Sequence, residues 1–321
     1  MTLRLTVDRD RWSAHVASYA AAIGSARLVA VVKGNGYGFG IDTLVPIAAQ
    51  VSAALAVGTA HEAHRLGPVP DGVEVHVLTP SCQPLDVGPH VVLTIGHADH
   101  LPSLDGHTGA VSIKLRSSMR RYGATPEEVP RLVDAVHARG LEVCDHVLHL
   151  PLRSTSRTDD DQVAEIESWL AVLPAHAPVS VSHLTPSTFD ALAHRHDDRR
   201  WRLRAGTALW HGDKSFVRLD ADVVDVHPIA AGERAGYRLV PIDAPGHLIV
   251  VGAGSSQGVV PLADGRSPFH FRRTRLELLE PPHMHSAMCV VPAGAAVPAR
   301  GEVVDVQRPL TTVQPDEVVW R

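Results

Sequence analysis

The segment best suited to chemistry is an apolar run that ends in a lysine and passes into glycines, Val29-Ala30-Val31-Val32-Lys33-Gly34-Asn35-Gly36-Tyr37-Gly38. The apolar residues predict a strand with Lys33 at its C-terminal end. In a barrel, that end faces the active site, and an amine held there against apolar walls has its ammonium form disfavoured. A neutral amine so placed suits Schiff-base chemistry with a carbonyl. The glycines let the backbone approach a ligand and adopt positive φ, while Tyr37 offers a phenol suited to a phosphate oxygen. The residues alone leave a second reading open, in which Lys33 only caps a core strand. Twenty-one histidines raise the question of a metal, yet they are scattered without a His-Glu-x-x-His cluster, so none is expected. Cys82, Cys144 and Cys289 lack Cys-x-x-Cys spacing and read as reduced thiols.

Positioning such a lysine requires a scaffold, and the chain of 321 residues, 45% hydrophobic, is long enough for two cores. From Ala26 to Gly206, β-branched runs alternate with helix-like segments. The expected strands are Leu28 to Lys33, Ala54 to Gly58, Val73 to Thr79, Val91 to Ile95, Val111 to Leu115, Leu141 to Leu148, Val179 to His183 and Trp201 to Arg204. Eight such runs predict an α/β fold with an N-terminal (β/α)8 TIM-type barrel over residues 1–213. Beyond it, Val-rich alternating runs such as Val223 to Val226, His247 to Val251 and Ala287 to Val291 predict a mostly-β domain over residues 214–321. A net charge of -5 offers nothing to nucleic acid or a membrane surface. No apolar run approaches the roughly 18 residues of a membrane span, and no secretory leader opens the sequence, so a cytoplasmic protein is expected.

Four stretches follow one pattern in chain order. The first is Val29 to Gly38. The others are Lys114-Leu115-Arg116-Ser117-Ser118-Met119-Arg120-Arg121-Tyr122-Gly123, Arg204-Ala205-Gly206-Thr207-Ala208-Leu209-Trp210 and Gly232-Glu233-Arg234-Ala235-Gly236-Tyr237. Together they resemble the alanine racemase family, whose motifs read Ala-Val-Val-Lys-Ala-Asn-Ala-Tyr-Gly-His-Gly, Lys-x-Asp-Thr-Gly-Met-x-Arg-x-Gly, Arg-x-Gly-x-x-Leu-Tyr and Gly-x-x-Val-x-Tyr. The resemblance implies pyridoxal 5'-phosphate (PLP) held covalently by Lys33, which also serves as one of two proton-transfer groups. It implies that Tyr37 holds the cofactor phosphate, with help from the Gly206-Thr207 backbone and from Ser187. Arg204 would face the pyridine nitrogen, to which a guanidinium of pKa above about 12 cannot lend a proton. Tyr237 would be the second proton-transfer group, supplied by the partner subunit of a homodimer with shared active sites and supported by His149. Arg121 would meet the carboxylate of a small amino-acid substrate or the cofactor phenolate. Met284 would line the entrance, and Lys114 matches a lysine that is carbamylated in many members. Without the resemblance, Arg204 reads as a surface arginine, His149 as a core histidine and Lys114 as an exposed lysine.

The sequence departs from the family at the substrate mouth. Gly252-Ala253-Gly254-Ser255-Ser256-Gln257-Gly258 stands where members carry Gly-Tyr-Ala-Asp-Gly, Met284-His285 replaces Met-Asp, and Lys-x-Asp-Thr-Gly becomes Lys114-Leu115-Arg116-Ser117-Ser118. Members also continue past the position of Trp320-Arg321 into a stretch that supplies another active-site tyrosine. The resemblance therefore implies an amino-acid racemase acting on alanine or another small residue. Two alternatives stand beside it: a PLP-binding homologue with altered catalysis that acts as a carrier or assembly partner, and a PLP-dependent decarboxylase. Arg204 argues against the decarboxylase, which usually sets an acid against the pyridine nitrogen.

Overall fold

The computed structural model describes residues 2–321. The chain divides into two compact units, one of residues 14–36 and 40–210 and the other of residues 2–13, 37–39 and 211–321. The opening strand β1 (Leu3–Val7) belongs to the second unit. The next eight strands close a parallel barrel in chain order: β2 (Leu28–Val31), β3 (Ala54–Val57), β4 (Glu74–Val77), β5 (Val91–Ile95), β6 (Val111–Leu115), β7 (Val143–Leu148), β8 (Val179–Ser182) and β9 (Trp201–Ala205). Closure comes from β9 lying parallel to β2, with Val29 opposite Arg204. Strands covered on both faces read as near-continuous apolar runs, and every residue of β2, β3 and β5 is buried.

Local signals end and begin the crossovers. Helix α1 (Arg9–Ile23) precedes β2, and α2 (Ile41–Val51), α3 (Ala60–Arg65), α4 (Val129–His137), α5 (Asp159–Leu170) and α6 (Pro186–Arg195) follow strands of the barrel. Thr158 and Asp161 form a reciprocal capping box at the start of α5, and Thr185 caps α6 ahead of Pro186. One irregularity shapes the interior: the β6–β7 register passes from Val111 opposite Val143 to Ser112 opposite Asp145, leaving Cys144 as the extra residue of a bulge. The Ser112 hydroxyl consequently meets both Cys144 Sγ, at 3.6 Å, and Asp145 Oδ1, at 2.5 Å.

A short helix, α7 (Thr207–His211), ends the barrel unit, and the second unit resumes at His211 with β10 (Val217–Ile229) soon after. There follow β11 (Arg234–Ala235), β12 (Val240–Pro241), β13 (Gly246–Val251), β14 (Phe269–Phe271), β15 (Thr274–Arg275), β16 (Glu277–Leu278), β17 (Ala287–Pro292), β18 (Val303–Val306) and β19 (Glu317–Trp320). A sheet runs β15-β14-β18-β10-β13-β17-β16, with β1 antiparallel to β10 and parallel to β19. All three Val-rich runs expected of a β-domain lie in its strands β10, β13 and β17. A single cut at residue 213 would leave the first strand with the barrel. Its hydrogen bonds go instead to β10 and β19, with Leu5 opposite Leu219 and Val318, and Leu3, Leu5 and Val7 are buried. Among the described residues, no helix is long and apolar enough to cross a membrane.

Candidate active site

Lys33 lies two residues beyond β2, at the C-terminal end of the barrel. Its strand end is held by Glu62 of α3, whose carboxylate accepts from Gly34 N at 3.3 Å and from Gly58 N, beyond β3, at 2.6 Å. The turn that follows needs glycine. Gly36 has φ +59°, and a Cβ there would stand 2.5 Å from the Ile41 nitrogen. Partial loss of water lowers the Lys33 pKa. The positive charges of Arg121 and Arg204 lower it further, and Glu62 partly opposes them.

Three further cations share this end of the barrel unit. Lys114 on β6 is only 5% exposed, and its Nζ lies 6.0 Å from the centre of the Tyr122 ring. Burial, then Arg204 and Arg121, put its pKa well below the usual lysine range. Arg121 stacks on the same Tyr122 ring at 4.7 Å. Arg204, 6% exposed, donates through Nη1 to the Ser180 carbonyl at 2.8 Å and hydroxyl at 2.7 Å, and through Nη2 to the Leu148 carbonyl at 2.8 Å. It has no carboxylate partner, and burial pulls its pKa down to about 10, so it stays charged at neutral pH. His149 Nδ1 shares a hydrogen bond with Ser182 Oγ at 2.9 Å, and its ring lies 4.8 Å from that of His183. Burial, then the positive charge of Arg204, holds His149 down to about 2 and His183 down to about 4, so both rings are neutral. The barrel end thus presents an amine of reduced basicity amid an excess of positive charge that Glu62 and Asp145 only partly offset. That donor set fits PLP, an aldehyde that carries a phosphate dianion and condenses with amines, and it fits the carboxylate of an amino-acid substrate.

One layer towards the N-terminal end of the strands, the polarity changes. Arg202, two residues before Arg204 and so on the same strand face, bonds to Glu74 Oε2 at 2.6 Å and to His76 Nε2 at 3.0 Å. His76, Cys144 and Asp145 bring potential metal-ligating atoms within 4.8 Å of one another. The guanidinium of Arg202 already supplies the positive charge beside them, which disfavours a second cation.

The second unit carries Tyr37, Tyr237 and Met284. Tyr37 is buried at φ +56°, its carbonyl accepts from His211 Nε2 at 2.8 Å, and burial pushes its phenol up to about 12. Tyr237, in the turn between β11 and β12, is 86% exposed. Its backbone is nonetheless held: Glu280, itself buried, accepts from Tyr237 N at 2.8 Å and from Arg238 N at 3.1 Å. His283 Nε2 donates to the same carboxylate at 2.7 Å, and its ring lies 4.2 Å from the Tyr237 ring. Burial alone would raise the Glu280 carboxyl, but His283 and the two backbone N–H groups hold it below the ordinary range. Met284 is exposed, and its carbonyl accepts from Ser256 N at 2.9 Å, so the altered Gly252–Gly258 stretch forms the turn bonded to it.

Of the residues singled out from sequence, Lys33, Lys114, Arg121, His149 and Arg204 come together in the barrel unit. Gly206 follows β9 directly and Thr207 opens α7. Ser187 does not join them: it is exposed in the first turn of α6 and lines a groove with Asp159 and Val163 of α5. The serines bonded to the cluster are Ser180 and Ser182. Neither these two nor His183 was singled out as a site residue from sequence, and neither were Glu62, Glu280 and His283. Ser182-His183 had a signal, since they stand at the C-terminal end of a barrel strand. Glu280 and His283 had none, because their partner Tyr237 lies more than 40 positions away in the chain.

Fold and site together define a parallel (β/α)8 barrel with a lysine at the end of its first strand, joined to a β unit. The sequence profile described as "Alanine racemase, N-terminal domain" matches residues 7–213, and the chain belongs to that family. Among similar proteins is the alanine racemase of Corynebacterium glutamicum (strain R), 28% identical over 292 residues that cover 83% of this chain and 78% of the relative. The alanine racemase of Mycobacterium bovis is 28% identical over 288 residues, covering 80% and 71%. A similar solved structure is that of alanine racemase from Bartonella henselae with covalently bound pyridoxal phosphate. It has a TM-score of 0.75 and 20% identity over the full length of both chains.

Proposed function

We propose that this protein is a PLP-dependent amino-acid racemase that interconverts the L and D forms of alanine or another small amino acid. The observation that carries the reading is Lys33: an amine of lowered basicity at the C-terminal end of a barrel strand, beside Arg121 and Arg204. Membership of the alanine racemase family supports it, as does the covalent pyridoxal phosphate of the Bartonella henselae structure. When bound, the cofactor supplies an electron-withdrawing system that makes the substrate α-hydrogen acidic.

The chain's own residues do the rest. Lys33 holds the cofactor and, once displaced by substrate, is a weakly basic amine able to take or return a proton at Cα on one face. Tyr237, from the partner subunit of a homodimer, does the same on the other face, with His149 in its supporting network. Arg121 binds the substrate carboxylate through its guanidinium fork, and Met284 lines the entrance. Tyr37 and the Gly206-Thr207 backbone hold the phosphate. Arg204, fixed by Ser180 and Leu148, would meet the cofactor ring as a guanidinium that does not lend its proton, which would favour return of the proton to Cα over its loss to side reactions. Lys114, buried and of lowered basicity, is the site for carbamylation, since it is the unprotonated amine that attacks carbon dioxide.

The experiment is circular dichroism of separate L- and D-alanine solutions, and then of other small amino acids, incubated with the purified protein and PLP. Decay of both signals to zero is the expected result. Gas release with loss of one amino acid would indicate a decarboxylase instead. A yellow protein that leaves every signal unchanged would indicate a carrier.

A further inference from the structure

We infer that His283, anchored by the buried carboxylate of Glu280, is a positioning residue that fixes the direction in which Tyr237 presents its phenol. The inference rests on Tyr237 acting as proposed above.

Tyr237 occupies a tight turn between two two-residue strands, a place where an exposed side chain ordinarily samples several rotamers. Here three constraints converge on it. Glu280, just past β16, spends one oxygen on Tyr237 N and the other on Arg238 N, so the backbone of the turn cannot swing. Its close approach depends on Gly236, which has φ +78° and at which a Cβ would stand 2.3 Å from Glu280 Oε1. The third constraint acts on the ring. His283 donates to that same Oε1 and lies against the Tyr237 ring at an interplanar angle of 30°, leaving the phenol free to point outward. A carboxylate that receives three hydrogen bonds from one turn and one imidazole makes backbone and ring a single unit. Such a device suits a proton-transfer group, for which a displacement of about 1 Å can cost about 100-fold in rate. The exposure of Tyr237 makes the brace necessary, since no apolar packing holds the ring.

The test uses the PLP-loaded enzyme and the variants Tyr237→Phe, His283→Ala and His283→Gln, the last retaining a side-chain N–H. Turnover is measured in both directions with α-protiated and α-deuterated substrate, and amide exchange at Tyr237 and Arg238 by mass spectrometry. Tyr237→Phe should be nearly inactive. His283→Ala should lose tenfold or more in kcat with its cofactor absorbance unchanged, and His283→Gln should recover part of that loss. Because only one proton transfer is slowed, the primary isotope effect should rise for the enantiomer whose α-hydrogen faces Tyr237 and fall for the other, and amide exchange in the turn should quicken. If His283→Ala does not fold, His283→Gln carries the isotope measurement, with the same split at smaller size. An inactive Tyr237→Phe beside a His283→Ala enzyme of wild-type rate overturns the inference, as does a slow His283→Ala enzyme whose two isotope effects are unaltered. A fully active Tyr237→Phe enzyme overturns the two-base reading itself.

Discussion

Histidines 149 and 183 are neutral because the barrel end removes their water and surrounds them with arginine and lysine, and this carries a thermodynamic consequence. In the unfolded chain both rings take up a proton near pH 6.5, whereas in the folded protein they do so only near 2 and 4. Below pH 6.5 the unfolded state therefore binds more protons, and stability falls as pH falls through that window towards 4. The melting temperature of the wild-type protein should drop more steeply between pH 6.5 and pH 4.5 than that of His149→Asn, whose side chain does not titrate. Parallel curves would place the acid sensitivity elsewhere. Arg204 supports a second expectation. Its replacement by Glu would set an acid where the guanidinium stands, so racemisation should decline and transamination rise, read as keto-acid release. Residues of this kind were readable in sequence where they fall inside short motifs, as Lys33, Lys114, Arg121 and Arg204 do. Ser187 was harder to place, because a stretch of hydroxyl residues spans the end of β8 and the start of α6, and only the fold sets Ser182 on the buried strand and Ser187 exposed in the first turn of the helix.

Among the elements, the eight barrel strands were legible because most are short Val-, Leu- or Ile-rich runs bounded by turn residues, with the polar residues of β7, β8 and β9 set between apolar ones. Strands β1 and β19 were not, since they pair with each other from opposite ends of the chain, and neither was β18, which pairs with β10 about 80 residues earlier. The bulge at Cys144 was equally hidden, because periodicity alone cannot reveal an extra residue on one strand. The lower barrel layer yields a prediction at this scale. Arg202 is almost wholly buried and pairs with the carboxylate of Glu74, from a strand three positions away around the barrel. Glu74→Gln should cost about 1–3 kcal/mol of unfolding free energy in urea, by leaving a buried guanidinium without its charge partner. A loss below the error of the titration would show that water replaces the carboxylate.

For the molecule as a whole, the two-base reading asks each site to combine Lys33 of one subunit with Tyr237 of another, an arrangement that twofold symmetry closes in a dimer. Subunits bearing Lys33→Ala or Tyr237→Phe, each nearly inactive alone, should then regain activity on mixing. One site of the mixed dimer carries both substitutions and the other neither. Mixed dimers that form by mass measurement yet stay inactive would place Tyr237 within its own subunit or outside the reaction. The claim beneath all of this is that Lys33 holds the cofactor, and the chain makes it unusually easy to test, having only the lysines Lys33, Lys114 and Lys214. The protein should be loaded with PLP, reduced with borohydride, digested and sequenced by mass spectrometry. The account predicts a single phosphopyridoxyl mass on the peptide containing Lys33. Its appearance on Lys114 or Lys214 with Lys33 unmodified, or on no lysine, would contradict it.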